Sequence, residues 1–354
     1  MALTYWFEAD LERASERAEL ALDLAEAHAF HEALAIALRA RGAIANSRGH
    51  FEEGLALLRQ GLEIALANDL VAEASAGYVN LSDVCFRRDR YTDSLGYLDE
   101  SLALARRIGR RPNESTVLSE RTYALSMLGR WDEALAIGDE FTQERIDAGG
   151  TVLSLLQAGV EIHLRRNEVE AARTVFAMFS RLESSTDVQD VTAYFAERAA
   201  LRRADGHLRG ALEDCEATIE AGRTLGISQQ AVKQAIVEGV EIALELGAQD
   251  KAEELLALVE SVPLGSRPPY LDAHARRFRS LMKGDGAALA VAAEGFRELG
   301  IPFSLAVTLL EHAELTADET SLEEAREIFE RLDARPWLAR LDAAQAGAHT
   351  QIPA

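Results

Sequence analysis

Apolar positions recur along this chain at helical spacing, in runs of 14 to 18 residues separated by short polar breaks. The stretches "EASAGYVNLSDVCF" and "YTDSLGYLDESLALA" are two such runs, set on either side of the break "RRDR". Apolar residues three and four apart fall on one helix face, so each run predicts an amphipathic helix with one buried stripe. The breaks often hold glycine, which suits the left-handed residue that closes a helix. The pattern therefore predicts helices joined in pairs by tight turns.

The pairs repeat. A large or apolar residue opens the second helix of each pair in "RGHFEEGLALL" (Phe51), "RDRYTDSLGYL" (Tyr91) and "LGRWDEALAIG" (Trp131), at spacings of 40 and 40. Val169, Leu208 and Gln249 hold the matching place at spacings of 38, 39 and 41, and Leu11 lies 40 residues before Phe51. A near-constant period over seven units is the signature of a stacked repeat array. Two further columns keep the register. Three residues after each marker stand Ala14, Gly54, Ser94, Ala134, Ala172, Ala211 and Ala252. Nine residues before stand Gly42, Ser82, Thr122, Val160, Ala199 and Val240. Small residues at fixed phase predict that the two helices of a pair cross closely there.

Charges follow the same register. Arg87, Arg88, Arg130, Arg165, Arg166, Arg202 and Arg203 fall near the ends of first helices, and Glu52, Glu53, Asp93, Asp132, Glu133, Glu168 and Asp250 near the starts of second helices. Cations at C-termini and anions at N-termini complement the helix dipoles. That register accounts for "FRRDR" without a nucleic-acid patch.

A helix pair with a Gly-aromatic-acidic turn and small residues at the crossings resembles the tetratricopeptide repeat, in a variant with a period nearer 40 than 34. The resemblance implies an all-α fold, a right-handed α-solenoid of antiparallel helix pairs. Its expected extent is a regular array over residues 1–261, degenerate C-terminal repeats and a cap over 262–346, and a frayed tail over 347–354. The boundary is placed at "VPLGSRPPYL", where Pro263, Pro268 and Pro269 interrupt the rhythm.

Beyond that boundary, "FRELGIPFSLAVTLLEHAEL" and "LEEAREIFERLDARPWLARLDAA" resemble the C-terminal end of large actinobacterial regulators, which include class III nucleotide cyclases and LuxR-like ATPase-containing activators. This resemblance implies a C-terminal sensory or regulatory region whose partners are upstream cyclase or ATPase domains. Neither catalytic module is present: no GxxxxGK[ST] loop occurs, and no C-terminal helix-turn-helix is visible. Leu11 opens a second helix, so its first helix is expected to begin several residues before Met1, with about half of it present, and "ALTYWF" is expected to form an apolar edge where a cap is polar. The chain is expected to be the C-terminal part of a longer polypeptide or split system; the competing expectation is a short cap folded onto the first pair.

Composition narrows the chemistry. The 354 residues carry 37 basic and 59 acidic side chains, a formal charge of −22, and a field of that sign repels a phosphate backbone. No nucleic-acid partner is expected. No run of 18 apolar residues spans a membrane, and the N-terminus lacks a basic then apolar leader. The two distant cysteines, Cys85 and Cys215, form no disulfide framework and fit a reducing, cytoplasmic setting as small buried hydrophobes. "HAFHEALA" lacks the second histidine of HExxH, and no GxSxG, CxxC or GxGxxG occurs. No catalytic constellation, metal site or cofactor is expected.

Function is then expected on the inner face of the array. First helices line the concave surface of such stacks. Phase places Arg39, Asn46, Asp83, Arg87, Tyr123, Glu161, Arg165, Arg203, Glu241 and Glu245 there. The mixture of arginine, acid and tyrosine suits a protein or peptide segment laid in the groove. The Lys and Asn clamp with which some repeat co-chaperones hold a C-terminal carboxylate does not recur.

Overall fold

The computed structural model describes residues 10–109, 111–147 and 152–350. The expected N-terminal apolar edge and the last four residues of the expected frayed tail lie outside the described residues. Within them the fold is all-α, a solenoid of helix pairs, with no strand among the described residues. Two compact units divide the chain, residues 1–118 and 119–354.

The forty-residue period has a simple origin in the first unit. Helices α1 (Leu11–Ala27), α2 (His31–Ser47), α3 (Phe51–Ala67) and α4 (Val71–Arg87) each hold 17 residues, and three-residue turns join them. Two helices and two turns make one repeat. α5 (Tyr91–Ile108) and α6 (Arg111–Met127) follow. Such short turns leave each helix no choice but to fold back antiparallel on its predecessor.

One turn geometry recurs at six of the seven markers, from Phe51 to Gln249. Two residues before each of these the backbone enters the left-handed region, at Gly49, Asp89, Gly129, Asn167, Gly206 and Gly247. The next amide then donates to the carbonyl five residues back, as from His50 to Ala45 at 2.9 Å and from Glu168 to His163 at 2.7 Å. This is a Schellman closure, and glycine, asparagine and aspartate are the residues that tolerate its backbone. The marker itself is the first helical residue in all seven places.

The small columns are buried and meet. Ser82 and Ser94 share a hydrogen bond of 2.8 Å across α4 and α5. In the pair before, a Cβ added to Gly42 would lie 3.0 Å from the Gly54 carbonyl. Leu55, Leu58, Leu62, Leu81, Val84 and Cys85 fill the layer between these pairs. Cys85 and Cys215 are both free and fully buried, and burial pushes the Cys85 thiol up to about 11.

In the second unit the pairs are α7 (Trp131–Gly138), α9 (Leu153–Arg165), α10 (Val169–Ala177), α11 (Val188–Ala204), α12 (Leu208–Ala221), α13 (Gln230–Glu245) and α14 (Gln249–Glu260), with the short α8 (Gln143–Asp147) after α7. The second helices α7 and α10 stop early. After Gly138 the amides of Glu140 and Phe141 tighten onto the carbonyls of Ile137 and Gly138, which turns Phe141 into the core.

Four helices and a fifth partner follow the prolines: α15 (Pro269–Lys283), α16 (Gly286–Leu299), α17 (Pro302–Thr316), α18 (Glu319–Leu332) and α19 (Arg335–Thr350). Pro269 and Pro302 open α15 and α17 rather than interrupt them, because a first-turn residue has no intrahelical amide bond to lose. The sequence boundary at 261/262 thus falls inside the second unit. These last helices return to the unit's beginning. The Trp131 ring lies 5.7 Å from Phe303, Arg166 donates to the Leu332 carbonyl at 3.1 Å, and Gly129 packs on Pro302.

Candidate functional site

Of the ten inner-face residues expected from phase, four lie in the first unit. Arg39 on α2 reaches Glu73 on α4 at 3.2 Å, so it bridges two successive first helices. Asn46 is packed against Gly54 at a crossing, and its amide atoms are buried without a hydrogen-bond partner. Asp83 and Arg87 pair with each other one turn apart at 3.0 Å on an exposed face. These four do not form one site.

The second unit differs. Tyr123 is buried in its α6 segment. Glu161, Arg165, Arg203, Glu241 and Glu245 all line a cavity of about 370 Å³. Its walls come from the first helices α9, α11, α13, α15 and α17, closed at one end by Pro336 and Trp337 of α19. Small first-helix residues at the crossings bring these helices close, and the polar positions one turn away then face inward together.

A ladder of alternating charge runs through the wall, one residue per helix. Arg203 donates to Glu241 at 2.7 Å, and Arg277 donates to the other oxygen of Glu241 at 2.8 Å. Arg277 also donates to both oxygens of Glu311, at 2.7 and 2.5 Å. The sequence separations are 38, 36 and 34 residues. Arg203 further holds Glu238 at 3.0 Å and also pairs with Glu245. Beside the ladder, Arg165 pairs with Glu161 at 2.6 Å and rests 4.3 Å over the Phe303 ring.

The electrostatics follow from who shares whom. Burial lifts the carboxyl of Glu241, yet Arg203 and Arg277 on either side hold it well below the ordinary value. Glu238 has one arginine, shared with two other acids. Burial pushes it up to about 7; Arg203 opposes, while the charges of Glu241 and Glu161 add. Burial also opposes the charges on Arg203 and Arg277, but the carboxylates around them raise both above the usual guanidinium value. Behind the wall, Glu197 is fully buried with no hydrogen-bond partner on either carboxylate oxygen. Burial and Glu161 push it well above the ordinary carboxyl range.

Sequence phase missed Glu238, Tyr270, His274, Arg277, Phe303, Glu311 and Trp337. All but Glu238 lie after the last proline of that segment, Pro269, where the marker pattern has stopped. The signal that survives there is the sign alternation Arg203, Glu241, Arg277, Glu311 at a slowly shrinking period. Among the described residues, no group of three or more histidine, cysteine, aspartate or glutamate side chains is placed to hold a metal ion. No helix among them is long and apolar enough to cross a membrane.

The tetratricopeptide-repeat model matches residues 73–140, the stretch that holds the Tyr91 and Trp131 turns. No curated protein matches the chain. Several solved structures are similar in fold. A Rap protein complexed with competence and sporulation factor shares 14% identity at a TM-score of 0.43, covering 89% of this chain and 76% of that one. A tetratricopeptide repeat protein from Parabacteroides merdae shares 15% identity at 0.43, covering 80% and 99%. The human IFIT1 dimer with m7Gppp-AAAA shares 16% identity at 0.48, covering 98% and 80%.

Proposed function

We propose that this chain is a non-catalytic interaction module that binds a peptide or protein segment on the inner face of its second unit. The observation that carries the reading is the cavity itself: a concave pocket lined by charged residues from four successive first helices, beside an aromatic end wall. Pockets of this size with a few convergent polar groups are the usual form of a ligand site. The lining holds salt-bridged acids and arginines and no nucleophile–base pair, which suits recognition rather than turnover.

The test is selection from a displayed random peptide library, followed by titration against wild type and Ala204→Trp. Ala204 lines the cavity yet is exposed, so tryptophan there obstructs the mouth without entering the core. Selected segments should lose about tenfold or more in affinity, a change of about 1.4 kcal/mol, with an unchanged helical circular-dichroism spectrum. Equal binding to both proteins sinks the reading.

A second reading rests on the wording of residues 296–344, which resembles the C-terminal region of cyclase and ATPase-containing regulators. In that reading the partner is an upstream domain of the same polypeptide. An immunoblot of native cells decides between them: a band several times heavier than the 38.6 kDa of this chain supports the regulator, and a band near 38.6 kDa removes it.

A further inference from the structure

We infer that the cavity of the second unit takes the cationic side chain of a lysine or arginine residue of the bound segment. The inference rests on the segment-binding reading above and specifies what the segment must carry.

The first argument is charge accounting within the wall. Four carboxyl groups line the cavity, on Glu161, Glu238, Glu241 and Glu245, together with the guanidiniums of Arg165, Arg203 and Arg277. Glu311 also takes two hydrogen bonds from Arg277, so Arg277 is divided between Glu241 and Glu311. Five carboxyls thus share three guanidiniums: Glu161 pairs with Arg165, Glu238, Glu241 and Glu245 crowd onto Arg203, and Arg277 serves Glu241 and Glu311. A buried carboxylate without a matching cation is costly. The missing complement is positive.

The cavity also shows how such a cation would sit. Arg165 already rests in it with its guanidinium over the Phe303 ring and a carboxylate at 2.6 Å. Aromatic faces attract cations through their quadrupole, so the end wall and the acids act together. An anion would instead have to break existing arginine pairs. A bare metal ion finds no ligand cluster among the described residues.

The probe is a set of acetylated, amidated pentapeptides, Ala-Ala-X-Ala-Ala, with X as arginine, lysine, citrulline or glutamate, titrated calorimetrically into the full chain. The arginine or lysine peptide should bind about tenfold or more tighter than the citrulline peptide, which keeps the shape and loses the charge. That preference should shrink in Glu238→Gln and grow between about pH 6 and pH 8, as Glu238 gives up its proton. A citrulline peptide that binds as well as the arginine peptide overturns the inference, as does a tighter glutamate peptide or no saturable binding of the basic ones. The two readings fail differently. Segments that Ala204→Trp displaces, but that show no dependence on a basic residue, leave segment binding standing and remove only the cation pocket.

Discussion

Arg277 and Glu311 are joined by two hydrogen bonds, at 2.7 and 2.5 Å, and neither residue is more than 5% exposed. They lie on α15 and α17, beyond the proline segment. Removing one partner from such a buried pair leaves a desolvated charge, whereas replacing both by apolar groups of similar volume does not. Arg277→Met should therefore cost about 3–5 kcal/mol, and Arg277→Met with Glu311→Leu should recover much of the loss. Urea unfolding of the two variants measures both; a double variant no more stable than the single would contradict the account.

Glu238 makes stability depend on pH. Its folded value of about 7 lies above its ordinary value of 4.5. A raised carboxyl contributes stability that is full below the unfolded value and is lost as pH rises through the folded one. Glu238→Gln removes that slope. Between about pH 5 and pH 8 the variant should gain on wild type by up to about 3 kcal/mol. Parallel stability curves for the two proteins across that window would show that Glu238 is not the titrating group.

Gly129 and Gly247 separate backbone strain from contact. Both have positive φ, at 72° and 68°. A Cβ at Gly247 meets nothing within 4 Å, but one at Gly129 would lie 2.5 Å from Pro302 Cγ and 3.1 Å from Leu332 Cδ2. Gly247→Ala should cost about 1–2 kcal/mol from the left-handed backbone alone. Gly129→Ala should cost clearly more, since it also pushes α17 and α18 away. Equal melting temperatures for the two variants would mean that the turn at Gly129 does not bear on the C-terminal helices.

The crossing column predicts intolerance of volume. Ala172 is fully buried on α10. Ala172→Leu should overpack the crossing with α9 and cost about 1–3 kcal/mol. Trp131→Ala tests the opposite limit. It removes a ring that is 1% exposed, packed beside Phe303 and donating to the Ser126 carbonyl at 2.9 Å. A loss of about 3–5 kcal/mol is expected from the cavity left behind. Differential scanning calorimetry reads both, and an unshifted transition in Ala172→Leu would place that alanine outside the crossing.

Local order was written in the sequence because its causes are local. The apolar stripe, the marker at the first helical residue and the glycine, asparagine or aspartate two positions earlier each act within one turn of chain. The small columns at Gly42 and Gly54, or Ser82 and Ser94, act within one helix pair. From these the helix pairs, their period and the inward phase of Glu161, Arg165, Arg203, Glu241 and Glu245 could be read. Tertiary structure alone decided the rest. The bond from Arg166 to Leu332 spans 166 residues, and Trp131 meets Phe303 across a similar distance in the chain. No periodic signal encodes such a return, because it depends on small rotations accumulated over several helix pairs. The fate of Pro269 shows the same limit: a proline reads as an interruption until the structure shows it in the first turn of a helix. That return brings Phe303 and Trp337 to the inner face, and α15 adds His274 and Arg277. There a row of charges that phase could place becomes an enclosed cavity.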